Sequence, residues 1–348
     1  MDLFKRMGEH GYGETHVCVD KASGLRAIIA IHDSTLGPAL GGCRFMRYAS
    51  ESEAFTDALR LARGMTYKAA ITGLAHGGGK SVLLKPEGEF DRVALFSAFG
   101  RFVEGLGGRY ITAEDSGTSP ADMAVIRTQT RHVTGISPAD GGSGDPSPFT
   151  ALGVRRGIEA AAKHKFGRSD LQGLKVSIQG VGHVGYYLCK ELHALGAQLF
   201  VADIDEAKVQ TAVDDFGATR VALRDVVGLD VDVYAPCALG GAINDETLSA
   251  LRAQVVAGAA NNQLWETRHG DELHKRGVLY APDYAINAGG LVNVAQEAKG
   301  YDEPLSTAKT LQIFDTMTEI FARSAATGVP TYRVADAMAE ERLVNARA

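Results

Sequence analysis

Leu174-Lys175-Val176-Ser177-Ile178-Gln179-Gly180-Val181-Gly182-His183-Val184-Gly185-Tyr186 decides the fold of this 348-residue chain. An apolar strand pattern runs into G-x-G-x-x-G and then into a helix pattern. A second strand pattern, residues 198–202, ends in Asp203, 23 residues after Gly180. Each part of that arrangement has a job. Gly180 makes the turn, and Gly182 lets a pyrophosphate approach the backbone of Val181, His183 and Val184 at the helix N-terminus. Gly185 lets helix and strand pack closely, and Asp203 accepts bonds from the adenosine ribose hydroxyls while repelling a 2′-phosphate. The glycines alone would be weak, but strand, helix and acid together point to a dinucleotide, and to NAD over NADP.

Further α/β units follow this stretch. Residues 207–216 read as a helix, and 231–236, 255–260 and 277–282 as strands. The strands run out into Pro236, Asn261-Asn262 and, past Asp283, Asn287. Polar groups at carboxyl ends of strands lie where the nicotinamide end of a cofactor belongs. Gly289-Gly290 opens a helix over 291–299. Upstream, a helix is expected over 150–165. Residues 135–149, dense in Gly, Pro and Ser, read as a hinge. Residues 136–330 therefore read as a doubly wound dinucleotide domain. The first domain is 1–135, with a charged helix over 331–348 expected to pack back on it.

The first domain is organised around Gly73-Leu74-Ala75-His76-Gly77-Gly78-Gly79-Lys80-Ser81. Three consecutive glycines read as a turn with one side cleared, leading to a buried strand, Val82-Leu83-Leu84, with Lys80 at its start. A lysine beside apolar surface loses solvation, and its pKa falls towards the range useful for acid–base work. The same residues do not make a P-loop, which needs Gly five residues before Gly79, where Leu74 stands. Residues 16–20 and 25–33 read as a hairpin across Lys21-Ala22-Ser23-Gly24. Residues 36–44 read as a loop with a Gly-Gly pair, and 51–65 as a helix leading to Lys68. Residues 92–106 read as a helix with Val93, Phe96, Phe99, Phe102 and Val103 as its core stripe. A strand at 109–112 ends near Asp115. Ser119 and Pro120 already make a good helix start, which leaves Asp115 free for other work.

Composition excludes several classes. Apolar residues make up 45%, ordinary for a chain with a real core. A net charge of −6 and pI near 5.9 argue against a nucleic-acid binder. The four cysteines are scattered, with no metal or disulfide spacing. No apolar run approaches the roughly 18 residues of a membrane span, and the first residues do not resemble a signal peptide. The expectation is a cytoplasmic protein with no metal, membrane or nucleic-acid partner.

Several further segments carry a resemblance. They are residues 30–33 with 36–42, Gly64-Met65-Thr66-Tyr67-Lys68, Gly78-Gly79-Lys80, residues 110–115, Ala235-Pro236-Cys237-Ala238, residues 260–264 and residues 280–290. In this order they resemble the glutamate, leucine, phenylalanine and valine dehydrogenase superfamily, nearest its leucine-acting branch, over almost the whole chain. The resemblance implies two α/β domains with a deep cleft between them, the first for substrate binding and oligomerisation. It implies reversible oxidative deamination: an L-amino acid, NAD⁺ and water give a 2-oxo acid, ammonium and NADH. Carried over by position, Lys68 would bind the substrate carboxylate with help from Asn262. Lys80 would polarise the attacking water, and Asp115 would exchange protons with the amino group. Gly41 and Gly42 would line the site, and Thr150, Ala238, Asn261 and Asn287 would hold the cofactor.

The implied side-chain pocket is Leu40, Ala113, Leu291 and Val294. Glutamate-acting members carry a lysine where Leu40 stands, so a charged side chain would be desolvated without a partner. Small Ala113 with Leu40 favours a branched aliphatic group over a ring, hence leucine with isoleucine and valine. Phenylalanine is the alternative. Three features depart from the leucine-acting pattern: Cys43 in place of threonine, the bulkier Leu291, and residues 75–79, whose end looks more like the phenylalanine-acting enzymes. A non-catalytic dinucleotide binder is disfavoured by the presence of both Lys80 and Asp115. A hydroxy-acid dehydrogenase is disfavoured by the lack of an Arg/His signature. The family also implies a homo-oligomer, commonly an octamer in that branch.

Overall fold

A computed structural model describes residues 3–347. The chain divides into two compact units: Met1–Asp145 with Asn293–Glu303 and Ala339–Ala348, and Pro146–Val292 with Pro304–Met338.

The first unit contains α1 (Leu3–His10), β1 (Glu14–Asp20), β2 (Leu25–Asp33), β3 (Ala39–Met46), α2 (Glu51–Ile71), β4 (Gly77–Leu84), α3 (Arg92–Glu104), β5 (Tyr110–Glu114) and α4 (Pro120–Arg127). The five strands form a mixed sheet in the order β1-β2-β4-β3-β5. The expected hairpin is present, with Asp20 opposite Leu25. Residues 36–44, expected as a loop, are largely strand. β3 is inserted between β4 and β5 and runs parallel to both. Glycine pairs weaken the local strand signal, and here pairing on both edges overrides it.

The glycine stretch also differs from expectation. Gly77, Gly78 and Gly79 are not a turn but the first half of β4, and Lys80 lies mid-strand, opposite Ala30. Of the glycines in that stretch, Gly73 alone has a positive φ, 66°. The other three are needed for space. A Cβ on Gly77 would lie 2.1 Å from the Asp33 carbonyl oxygen, one on Gly78 2.0 Å from the Thr66 amide nitrogen, and one on Gly79 2.8 Å from the Tyr110 ring. Helix α2 supplies Thr66 from above and β5 supplies Tyr110 from below, so β4 is pressed from both faces.

α2 begins at Ser50, whose side chain accepts from the Glu53 N–H, and continues past residue 65 to Ile71. Ala54, Ala58 and Ala62 pack on Ile28, Ala30 and Val82. Small residues on that face let helix and sheet approach closely. The other face of the sheet is covered by Leu95, Phe96, Phe99 and Val103 of α3. Val93, expected in this stripe, is 61% exposed. Ser119 and Asp122 form a capping box at the start of α4, and Arg92 clamps Asp122 at 2.7 and 2.8 Å.

The second unit contains α5 (Ser147–Phe166), β6 (Lys175–Gln179), α6 (His183–Ala194), β7 (Gln198–Ala202), α7 (Glu206–Phe216), β8 (Thr219–Arg220), β9 (Val233–Pro236), α8 (Asp245–Ala250), β10 (Val255–Val256), α9 (Thr267–Lys275), β11 (Leu279–Tyr280) and α10 (Asp283–Ile286). α11 (Gly289–Ala295), α12 (Glu303–Leu311), α13 (Ile313–Thr327) and α14 (Thr331–Arg347) follow. The sheet is wholly parallel, in the order β11-β10-β9-β6-β7-β8. The chain starts at β6, winds outward through β7 and β8, then returns to β9 and winds the other way. The strand order therefore reverses between β6 and β9, a topological switch point. The strands expected over 255–260 and 277–282 are two residues each. Pro236 and Pro282 have no N–H to extend the ladders there. The helix expected over 291–299 starts at Gly289 and tightens to a 3₁₀ turn over Gln296–Lys299.

The units divide at 145/146 rather than 135/136. Glu297 explains part of this: its carboxylate accepts from the N–H groups of Gly135 and Ser143 at 2.9 and 2.8 Å, tying 135–145 and 293–303 into the first unit. The C-terminal helix is shared in a way not anticipated: 331–338 belong to the second unit and 339–348 to the first. Within the first unit the Tyr67 hydroxyl donates to Glu340 at 2.6 Å, Arg342 donates to the carbonyls of Ala70 and Ile71, and Arg347 pairs with Asp33. Among the described residues no helix is long and apolar enough to cross a membrane.

Two glycines of neighbouring elements should respond oppositely to alanine. Gly78→Ala forces β4 away from α2 and should cost about 3 kcal/mol or more. Gly64→Ala, in α2 with no atom within 4 Å of its new Cβ, should stabilise by about 0.5–1 kcal/mol. Denaturant unfolding of both variants checks this.

Candidate active site

In the first unit, β4 carries Lys80 into the sheet interior, where its residue is 6% exposed. Its ammonium nitrogen contacts Oδ2 of Asp115, whose side chain is 14% exposed. Asp115 follows directly after β5. Its Oδ1 accepts the Ser116 N–H at 2.5 Å, and its backbone N–H donates to the Thr118 hydroxyl at 2.9 Å. Because Ser119 and Asp122 cap α4, Asp115 is spared that duty, as the sequence suggested, and pairs with Lys80.

Around this pair lie further charges. Arg44 of β3 places one guanidinium nitrogen 3.6 Å from Asp115 Oδ1 and another 2.8 Å from Asp57 Oδ2 of α2. The Tyr48 hydroxyl donates to the same Asp57 oxygen at 2.7 Å. Lys68 extends from the last turn of α2. Burial drives the Lys80 pKa down, to about 7, with the positive charges of Arg44 and Lys68 adding to it and the Asp57 carboxylate opposing. Burial likewise pushes the neighbouring Cys43 thiol up to about 12, so it stays protonated.

Leu40, Gly41 and Gly42 of β3 face Ile111, Thr112 and Ala113 of β5 in register. A Cβ on Gly41 would lie 1.7 Å from the Gly79 carbonyl oxygen, and one on Gly42 2.8 Å from Asp115 Cβ. Leu40, Ala113 and Val294 are all buried. The first unit thus assembles Lys68, Lys80 and Asp115 at the bare strand Gly41-Gly42.

In the second unit the dinucleotide motif has the geometry its glycines require. Gly180 takes φ of 98°, open to glycine but strained for other residues, at the switch point. A Cβ there would meet the Ala238 amide at 2.7 Å. A Cβ on Gly185 would lie 2.0 Å from the Gly180 carbonyl oxygen, the close helix–strand packing expected. A Cβ on Gly182 would meet nothing within 4 Å. That cleared space sits at the N-terminus of α6, which has no side-chain cap, beside His183 and Val184. It is the cradle a pyrophosphate fills. Asp203 accepts the Val181 N–H at 2.7 Å and the Asp205 N–H at 2.9 Å. A carboxylate has further lone-pair capacity for hydroxyl donors.

At the carboxyl ends of β10 and β11, the Asn287 side-chain amide donates to the Ala259 carbonyl at 2.9 Å and to Asn261 Oδ1 at 2.8 Å. Its own Oδ1 is buried with no donor, an acceptor suited to a carboxamide N–H. Asn262 is the single non-glycine residue with positive φ, 52°, among those described. The Thr150 hydroxyl donates to the Pro146 carbonyl, and a Cβ on Gly290 would lie 2.6 Å from it. Leu291 is buried in this unit. No group of three or more His, Cys, Asp or Glu among the described residues is arranged for a metal.

Sequence reading did not single out the Arg44–Asp57–Tyr48 cluster, although Arg44 lies two residues past Gly42. It also passed over Ile204 and Leu239, 88% and 86% exposed, next to Asp203 and Ala238. An apolar residue following Asp203 was the available signal.

A doubly wound unit with this motif, in a chain whose other unit carries a buried lysine–carboxylate pair, defines a dinucleotide-dependent oxidoreductase. Residues 12–132 match the dimerisation domain of Glu/Leu/Phe/Val dehydrogenases. Residues 141–207 and 199–341 match the glutamate/leucine/phenylalanine/valine dehydrogenase domain. The chain is 55% identical to leucine dehydrogenase of Geobacillus stearothermophilus, over 100% of this chain and 95% of that one. It is 48% identical to valine dehydrogenase of Streptomyces albus, over 97% and 94%. The crystal structure of L-tryptophan dehydrogenase from Nostoc punctiforme matches with a TM-score of 0.87 at 44% identity, covering 99% of both chains. The chain belongs to the Glu/Leu/Phe/Val dehydrogenase family and is an amino-acid dehydrogenase.

Gly182→Ala adds a methyl group that touches no protein atom. It should leave the melting temperature nearly unchanged while weakening dinucleotide binding roughly tenfold, as one blocked backbone approach to phosphate would. Thermal melts and fluorescence titration with NADH check both halves.

Proposed function

We propose that the protein catalyses the reversible NAD-dependent oxidative deamination of branched-chain L-amino acids, leucine with isoleucine and valine. The observation that carries this reading is the buried Lys80–Asp115 pair with Lys68 close enough to depress its proton affinity. The high identity to leucine dehydrogenase supports the substrate class.

Lys68 holds the substrate carboxylate, assisted by Asn262, and fixes the α-carbon. Asp115 takes a proton from the substrate ammonium, leaving a neutral amine whose nitrogen can assist loss of hydride. A bound oxidised nicotinamide would supply the acceptor for that hydride. Lys80, neutral, takes a proton from water as its oxygen attacks the imine carbon. Asp115 returns a proton to nitrogen, and as the carbon–nitrogen bond breaks the hydroxyl proton of the tetrahedral intermediate passes to the departing nitrogen, giving the 2-oxo acid and ammonium, while Lys80 releases its proton to solvent. Gly41 and Gly42 line the site without side chains. Leu40, Ala113, Leu291 and Val294 form the side-chain pocket, which offers no partner to a charged substrate.

Gly180–Gly185 would hold the pyrophosphate of the cofactor, Asp203 its ribose, and Thr150, Ala238, Asn261 and Asn287 its nicotinamide end. The Asp203 carboxylate favours NAD, because a 2′-phosphate would meet its charge. The reading further takes the enzyme to be a cytoplasmic homo-oligomer, an octamer; the dimerisation-domain match supports self-association. Light scattering tests the subunit number.

A kcat/KM profile over aliphatic and aromatic L-amino acids tests the substrate. Turnover of phenylpyruvate with ammonium and NADH, but none of 4-methyl-2-oxopentanoate, would overturn the branched-chain reading. Lys80→Ala should lower kcat by about 10²–10⁴-fold with the fold intact, whereas Lys68→Ala should act mainly on KM. Protonated Lys80 cannot accept a proton, so deamination should rise as pH passes about 7 and then level. Asp203→Ala should relax discrimination against NADP roughly tenfold or more, read as the ratio of kcat/KM for the two cofactors.

A further inference from the structure

We propose that Arg44 is a positioning residue of this reaction: braced by Asp57 and Tyr48, it holds the Asp115 carboxylate with one oxygen turned to Lys80, and its fixed charge biases where the proton of that pair resides. The inference rests on the roles proposed above for Lys80 and Asp115.

The geometry has three parts. Arg44 follows Gly41-Gly42 on β3, so the strand that lines the site also delivers the guanidinium. That group bridges two carboxylates from different elements, Asp57 of α2 at 2.8 Å and Asp115 after β5 at 3.6 Å. The two Asp115 oxygens are divided: Oδ1 meets Arg44 and the Ser116 N–H, and Oδ2 meets Lys80. A carboxylate held this way cannot spin to present both oxygens to the lysine. Asp57 Oδ2 takes both the Arg44 N–H and the Tyr48 O–H, so the brace is itself fixed at two points. Arg44 and Asp57 side chains are only 21% and 17% exposed, so solvent screens them poorly.

The charge environment of Lys80 then has a clear division. β3 contributes Arg44 and the protonated Cys43. α2 contributes Lys68 and Asp57. Asp115 follows β5, and β5 contributes the Tyr110 hydroxyl, which is bound to the Gly41 carbonyl. On β2, Ala30 lies opposite Lys80, and the nearby His32 is bonded to Thr66. Arg44 and Lys68 work against an ammonium at Lys80; Asp57 and Asp115 favour one. Lys68 is committed to the substrate carboxylate, which neutralises it during turnover. Arg44, tied to protein groups alone, keeps its effect when substrate is bound.

The test is the pH dependence of kcat for leucine oxidation at saturating NAD, in wild type and three variants. Arg44→Met removes a positive charge and should move the rising limb up by roughly one pH unit. Arg44→Lys keeps the charge but loses the fork; its limb should stay near that of wild type while kcat falls. Asp57→Asn removes the opposing charge and should move the limb down. Should Arg44→Met fail to fold, the downward shift of Asp57→Asn decides by itself. Variants that lower kcat but leave the limb in place would overturn the proposal and make the cluster merely structural. A wild-type profile with no limb near neutrality would overturn the roles of Lys80 and Asp115 themselves, a different failure.

Discussion

Strand β4 is where the structure is most tightly constrained. Its first three residues have no side chains because Asp33, Thr66 and Tyr110 already occupy the space. That crowding is what sets the surroundings of Lys80. The next residue with a side chain emerges into a place from which water is excluded, held by strands on both edges and a helix above. A long cationic side chain is ordinarily kept near water. Here the backbone position leaves it no such route, and Asp115 meets it inside.

Burial of one charge then dictates the surroundings. An isolated ammonium in this interior would be expensive, so the fold supplies carboxylates. Carboxylates alone would raise the proton affinity of Lys80. Arg44 and Lys68 restore the balance. The outcome is five ionisable groups from β3, α2, β4 and the turn after β5, each sensible only in the presence of the others. The second unit solves its problem more simply. It leaves N–H groups of α6 without a side-chain cap and clears one position, Gly182, so that a phosphate can complete them.

Much of this was legible in the chain. The run from Leu174 to Gly185 is read almost residue by residue, because each glycine there has a separate steric reason. The helix start at Ser119-Pro120 is local chemistry and forms as written. The errors share a cause: they lie where pairing between distant segments overrides local preference. Gly41-Gly42 and Gly77–Gly79 look like turns to any local reading, yet become strand because other strands flank them. The short β10 and β11 end where proline removes a donor from a neighbouring ladder. Arg44 was visible but mute, since its meaning depends on Asp57, thirteen residues on, and on Asp115, beyond another helix and two strands. The division of the units eluded local reading for the same reason, being set in part by Glu297.

The first unit is assembled from three separated stretches, and the last of them supplies an ending for α2. Arg342 adds a donor to the carbonyls of Ala70 and Ile71 at the C-terminus of α2. Glu340 secures Tyr67, the neighbour of Lys68. On the ribosome, the segment bearing Lys68 therefore waits through the synthesis of some 270 further residues before its terminus is closed. The second unit can be nearly complete while the first still lacks its final clasp, so the unit begun first is the later of the two to close.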